Sequence, residues 1–147
     1  MVKAERRAEA TWEGNLARGH GSVRMGSGAV PELPVTWASR TERSDGKTSP
    51  EELIAAAHAA CFSMALSHTL SSAGKTPERL TVSAVCTFEQ TEAGFRIGSM
   101  TLDVRGKVPG LDAAGFDQAA QQAGQGCPVS QALHNNVPIR VNAHLEE

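Results

Sequence analysis

The sequence predicts an α+β fold built on a largely antiparallel sheet. Three observations carry this. One long capped helix, about residues 50–73, stands between β-like segments. The stretch from Leu80 to Gln90 alternates cleanly, placing Leu80, Val82, Ala84, Cys86 and Phe88 on one face, the period of a half-buried strand. The order strands, helix, strands, helix, strand contains no repeated βαβ unit of the kind that winds a parallel sheet.

The elements follow in order within one expected domain, residues 1–147. Short β-like pieces (ATWEGNL, SVRM, ELPVTWAS) separated by glycines predict strands over about 10–38, and the polar segment SRTERSDGKTS reads as a loop. The helix opens on Ser49 as N-cap, with Pro50 at the first position and Glu52 completing an S-x-x-E capping box. Gly74 is its natural stop. Strands fill about 80–108, but the apolar phase slips at Gly98-Ser99, which predicts a β-bulge. A second helix spans about 111–134 with a break near 124–127, and the alternation of Ile139, Val141, Ala143 and Leu145 gives a final strand over about 137–145.

Composition excludes several classes. A net charge of −2 with 20% charged residues offers no basic patch for nucleic acid or a membrane surface. Aromatics are 4% with no Tyr, too few for a base-stacking platform. MVKAERRAEA has no apolar core, so no secretory signal is expected, nor any uninterrupted membrane span. Three cysteines, an odd number, argue against a disulfide framework and for a reducing, cytoplasmic setting.

The thiols differ in context. Cys86 lies on the apolar strand face and reads as a small core residue. Cys127, immediately before Pro128 at a helix start, faces unpaired N–H groups that favour thiolate. Cys61 sits mid-helix among small residues, either a core cysteine or one open to close approach. His58, Cys61 and His68, like Cys127 and His134, lack zinc-site spacing, and the glycines near Gly19 and Gly26 match no phosphate-binding loop; no metal and no nucleotide are expected. Glu52 is explained by its cap, whereas Glu51 is free for another role. Glu51 and Cys61 are ten residues apart, about 15 Å along a helix, so a shared site needs a second helix, most simply that of a second subunit. A helix apolar on every side asks for the same cover.

PEELIAAAHAACFSMAL, followed sixty-six residues after its cysteine by GCPVSQAL, resembles the OsmC/Ohr family of bacterial thiol peroxidases. WEGNLARGHGSVRMGSG is similar to that family's opening hairpin, and His58 in AAHAACFSMAL points to the OsmC branch. The resemblance implies antiparallel sheets wrapped around two central helices in an intertwined homodimer with sites at the interface. It implies reduction of organic hydroperoxides, and less efficiently of hydrogen peroxide, in stress defence. It makes Cys61 the peroxidatic nucleophile and Cys127 the thiol that closes a disulfide with the Cys61 sulfenic acid. Glu51 matches the family's glutamate; Arg40 in ASRTE is the first choice for its arginine and Arg18 the second. The implied reductant is a dihydrolipoyl-type dithiol, with no bound cofactor.

Local physics nominates Cys127 as the more acidic thiol, whereas the resemblance assigns attack to Cys61; a guanidinium from Arg40 beside Cys61 reconciles them. His58 is expected to pack or hydrogen-bond. Phe62, Met64, Ile54 and the alanine face are candidates to line an apolar peroxide pocket. Two alternatives stand beside the peroxidase: a non-catalytic ligand-binding dimer of the same fold, and a structural protein with incidental core cysteines.

Overall fold

The computed structural model describes every residue from Met1 to Glu147. Contacts gather the chain into two compact units, Met1–Leu53 and Ile54–Glu147.

In the first unit, β1 (Ala8–Glu13), β2 (His20–Met25) and β3 (Leu33–Val35) form an antiparallel sheet in that order. All six residues of β1 are exposed. ELPVTWAS does not continue as a strand: it turns at Thr36 into a short helix, α1 (Trp37–Thr41). The cause is a reciprocal cap, in which the Ser39 N–H donates to Thr36 Oγ1 and the Thr36 N–H to Ser39 Oγ, both at 3.0 Å. The Ser39 hydroxyl also donates to the Thr48 carbonyl at 2.9 Å, tying α1 to the entry of the next helix.

That helix, α2 (Pro50–Ser72), opens as its sequence says, with the Glu52 N–H donating to Ser49 Oγ at 3.1 Å. The reciprocal half of the expected box is not made, because the Glu52 carboxylate instead accepts the Thr48 hydroxyl at 2.8 Å. Its end is a Schellman cap: Gly74 at φ +76° donates to Ser71, and the Lys75 N–H to Leu70 at 2.9 Å. Contrary to expectation, α2 is long and apolar enough to cross a membrane, with mean hydropathy 1.4 over eighteen residues. Alanines, leucines and Phe62 raise the mean by more than Ser63, Ser67 and His68 lower it. Only 22% of that window is buried.

In the second unit, the inward face of α2 (His58, Phe62, Leu66, Leu70) repeats every fourth residue. β4 (Arg79–Thr91) pairs antiparallel with β5 (Gly94–Lys107), and Gly98 is the extra residue between the pairs Phe88↔Ile97 and Thr87↔Ser99, so the bulge lies where the phase slips. After β5, α3 (Ala113–Gly126) and α4 (Pro128–Leu133) carry the chain over to β6 (Ile139–Leu145), which runs parallel to β5. The largely antiparallel expectation therefore fails at this strand, since a helical crossover returns the chain in the original direction. Asp112 caps α3 by accepting the Gly115 N–H at 2.7 Å. The core joins Phe62, Leu66 and Leu70 to Leu102 and Val104 of β5 and to Phe116, Ala120 and Ala123 of α3. Each buried Leu or Phe contributes roughly 1.5–3 kcal/mol. Gly106 of β5 admits the Phe116 ring, which a Cβ there would meet at 2.5 Å.

Candidate active site

Two constellations of reactive side chains form, one in each unit. In the second unit, α2 presents Cys61 and the α3–α4 junction presents Cys127. Their Sγ atoms lie 3.3 Å apart across sixty-six residues of sequence. Both are free thiols; Cys61 is half-buried and Cys127 fully buried. The pair is reduced yet close enough for a small side-chain rotation to bond it.

The two sulfurs are electrically unequal. Burial pushes the Cys61 thiol up, and its Cys127 neighbour adds to that by contact and by charge, against the Val129 N–H, which lowers it. For Cys127 burial is again the largest single influence and raises it, but the Ser130 N–H and hydroxyl, the Cys61 thiol and the Val129 N–H together outweigh it. The net direction is down. The Cys127 side chain makes no cap hydrogen bond at the start of α4. Cys127 is therefore the more acidic of the two thiols, as the helix-start reading of its position expects.

Below the pair, His58 is fully buried, with Nε2 2.7 Å from Ser130 Oγ. Its Nδ1 is buried and has no partner. Burial lowers the imidazole, which is neutral at pH 7. No group of three or more His, Cys, Asp or Glu side chains is placed to hold a metal ion.

In the first unit, Arg40 of α1 meets Glu51 at the start of α2. Nε and Nη2 of Arg40 both lie 2.9 Å from Glu51 Oε1. Glu51 Oε2 is buried without a partner. The guanidinium stacks over Trp37, 5.9 Å from the ring centre. Beside it a cavity of about 270 Å³ is lined by Trp12, Leu16, Val35, Trp37 and Arg40. Arg18, the second-choice arginine, lies in the turn after β1, where its N–H donates to Asn15 Oδ1 at 2.8 Å.

The family described as OsmC-like protein matches residues 43–142. Peroxiredoxin OsmC of Escherichia coli is 44% identical over 134 residues, 91% of this chain and 93% of that protein. The chain belongs to the OsmC family. The organic hydroperoxide resistance protein OhrA of Bacillus subtilis is 29% identical over 118 residues, covering 78% of this chain and 82% of its own. Among solved structures, OhrB of Bacillus subtilis superposes with TM-score 0.72 at 26% identity, covering 95% of this chain and 98% of its own. An organic hydroperoxide resistance protein of Elizabethkingia anophelis gives TM-score 0.75 at 26% identity, covering 99% and 100%.

The sequence-predicted residues of this OsmC-family chain thus arrive in two pairs, Cys61 with Cys127 and Arg40 with Glu51. Phe62, a candidate pocket residue, is instead fully buried in the core, and Met64 is 69% exposed. Ser130 was not predicted. It sits three residues after Cys127, where a cap signal exists, but its partner His58 is seventy-two residues away and no spacing reveals it.

Proposed function

We propose that the chain is a thiol peroxidase that reduces organic hydroperoxides to alcohols in oxidative or osmotic stress defence, acting as a homodimer. The observation that carries the reading is the 3.3 Å approach of two free thiols from distant parts of the chain. The Cys61 thiolate attacks the terminal peroxide oxygen; the O–O bond breaks, the alkoxide takes a proton and leaves as alcohol, and Cys61 becomes a sulfenic acid. Cys127 then attacks the Cys61 sulfur, the S–O bond breaks, and water leaves as the disulfide forms. A dihydrolipoyl-type dithiol returns both thiols to the reduced state.

Cys61 needs a positive neighbour, because its own surroundings raise its thiol. Arg40 supplies it, and Arg40 with Glu51 stabilises the charge on the departing oxygen. Glu51 Oε2 is the unpartnered acceptor for the hydroperoxide O–H, and the cavity walled by Trp12, Leu16, Val35 and Trp37 suits an apolar substrate. Ten residues along α2 separate Glu51 from Cys61, so Arg40 and Glu51 of one protomer serve Cys61 of the other. The open face of α2 (Ala57, Ala60, Met64) and the exposed Trp12 and Leu16 supply apolar surface for that dimer. The reducing cytoplasm suits the chemistry.

The test is lipoamide-coupled turnover of tert-butyl hydroperoxide against hydrogen peroxide, with thiols counted before and after one equivalent. The reading expects faster turnover of the organic peroxide and loss of two of the three thiols together. Survival of all three thiols would instead establish a ligand-binding dimer or a structural role.

A further inference from the structure

His58 is the one buried histidine of the chain; His20, His68, His134 and His144 are all exposed. It stands in a buried column of α2 whose other members, Phe62, Leu66 and Leu70, are hydrocarbon. A leucine at this place would leave no polar atom enclosed, whereas the imidazole leaves Nδ1 buried without a partner, at a cost to the core. In return the imidazole makes one bond: Nε2 lies 2.7 Å from Ser130 Oγ. Ser130 is the only buried residue of the six in α4. The bond has a neighbour in register with it. His58 and Cys61 are three residues apart, about one turn of α2, and Cys127 and Ser130 are three apart at the start of α4. The pairs His58–Ser130 and Cys61–Cys127, at 2.7 and 3.3 Å, are therefore successive rungs between the two segments.

Cys127 sits at a joint. Its backbone is extended, φ −68° and ψ 119°, between the end of α3 and the start of α4. Main-chain bonds of 2.9 Å tie it to Ala123 behind and Gln131 ahead, and neither reaches α2. Six residues are too few for a helix to hold itself, and α4 has no side-chain cap at its start. Val129 meets the core only half-buried. We propose that His58 and Ser130 are positioning residues for the thiol pair: their hydrogen bond pins the first turn of α4 to α2, and so holds Cys127 within reach of Cys61. The pin is in place while both thiols are reduced, so the approach of the sulfurs is prepared before any oxidant arrives. The inference rests on the two thiols closing a disulfide together, as the proposed function requires. Closure by oxidised glutathione shows the step alone. Cys61 attacks one glutathione sulfur and displaces the other as thiolate; Cys127 then attacks the Cys61 sulfur of the mixed disulfide and displaces the second. Two protein thiols are oxidised, one glutathione disulfide is reduced to two thiols, and the two protons pass to the departing thiolates.

The experiment equilibrates the full chain in glutathione buffers, quenches with acid, and counts the Cys61–Cys127 disulfide by peptide mass spectrometry, which keeps Cys86 apart. At half-oxidation, the square of the reduced glutathione concentration over that of oxidised glutathione gives the effective concentration of one thiol at the other. Ser130→Ala should lower it by roughly 10-fold, and His58→Leu should lower it equally. The double variant should go no further than either single one. His58→Gln, whose amide nitrogen reaches the Nε2 position, should restore it, and His58→Asn, which reaches only the Nδ1 position, should not. A contact that merely supports the fold would lower the urea midpoint of each variant and leave the effective concentration where it was. An effective concentration unmoved in Ser130→Ala, or lowered as far by His58→Gln as by His58→Asn, overturns the inference; these variants decide it even where His58→Leu does not fold. If one equivalent of tert-butyl hydroperoxide leaves Cys61 unoxidised while the glutathione values shift as expected, the peroxidase reading falls and the pin stands.

Discussion

Arg40 spends two nitrogens, Nε and Nη2, on the same oxygen of Glu51, so the carboxylate is held by one edge and its Oε2 stays open. Only a planar guanidinium makes this contact, since a lysine ammonium has neither the fork nor the stack on Trp37. Arg40→Lys should therefore lower kcat/KM for tert-butyl hydroperoxide by on the order of 100-fold while barely moving the urea midpoint. Steady-state kinetics beside a denaturation curve separates the two, and an unaltered kcat/KM removes Arg40 from the chemistry.

Cys61→Ser should abolish peroxide consumption, and Cys127→Ser should retain one turnover per subunit. The sign of a subtler effect follows from the geometry. Cys127 raises the Cys61 thiol by contact and by charge, so its removal lowers Cys61. Stopped-flow rates for Cys127→Ser should then plateau at lower pH than those of the unmodified protein. A plateau displaced upward contradicts the coupling.

His58 links stability to pH. Its folded-state value is depressed by burial, so the unfolded chain binds the proton more readily. Stability is full above the unfolded histidine range near 6.5 and is lost as pH falls from there towards the folded value. Urea midpoints measured from pH 8 to 5 should fall below about 6.5, and His58→Leu should flatten that limb. An identical slope in the variant would place the linkage elsewhere.

Gly106 tests the core. A methyl there meets Cε1 and Cζ of Phe116 at 2.5 Å and Leu80 Cδ2 at 3.0 Å, and all belong to packed side chains. Gly106→Ala should cost about 1–3 kcal/mol in urea denaturation. No measurable loss would mean that the ring has room to move.

Met64, 69% exposed on α2, tests the dimer. Met64→Glu places a charge in a face proposed to be desolvated, and should shift the protein towards monomer by sedimentation and lower turnover in parallel. A dimer that persists at micromolar concentration with full activity moves the interface off this face.

Much of this was legible in the sequence because the signals are local. α2 starts at Pro50 and ends within a residue of expectation, since Ser49 and Gly74 are chemical boundaries that act whatever the surroundings. The phase slip at Gly98 reports a bulge because the side-chain period in a strand is two. What was not legible depends on tertiary choice. Thr36 and Ser39 turn an alternating stretch into α1 by capping each other. Nothing in Ile139–Leu145 says that β6 runs parallel to β5. The His58–Ser130 contact spans seventy-two residues, and Glu52 takes Thr48 rather than completing its box.

The two thiols act on each other in opposite directions: Cys127 raises the Cys61 thiol, and contact with Cys61 lowers that of Cys127. Their 3.3 Å approach also joins the long helix α2 to the α3–α4 junction across sixty-six residues. A disulfide between them would close a loop of that length, and by loop entropy alone would stabilise the chain by roughly 4 kcal/mol. The redox state of the pair is therefore also a setting of the protein's resistance to unfolding.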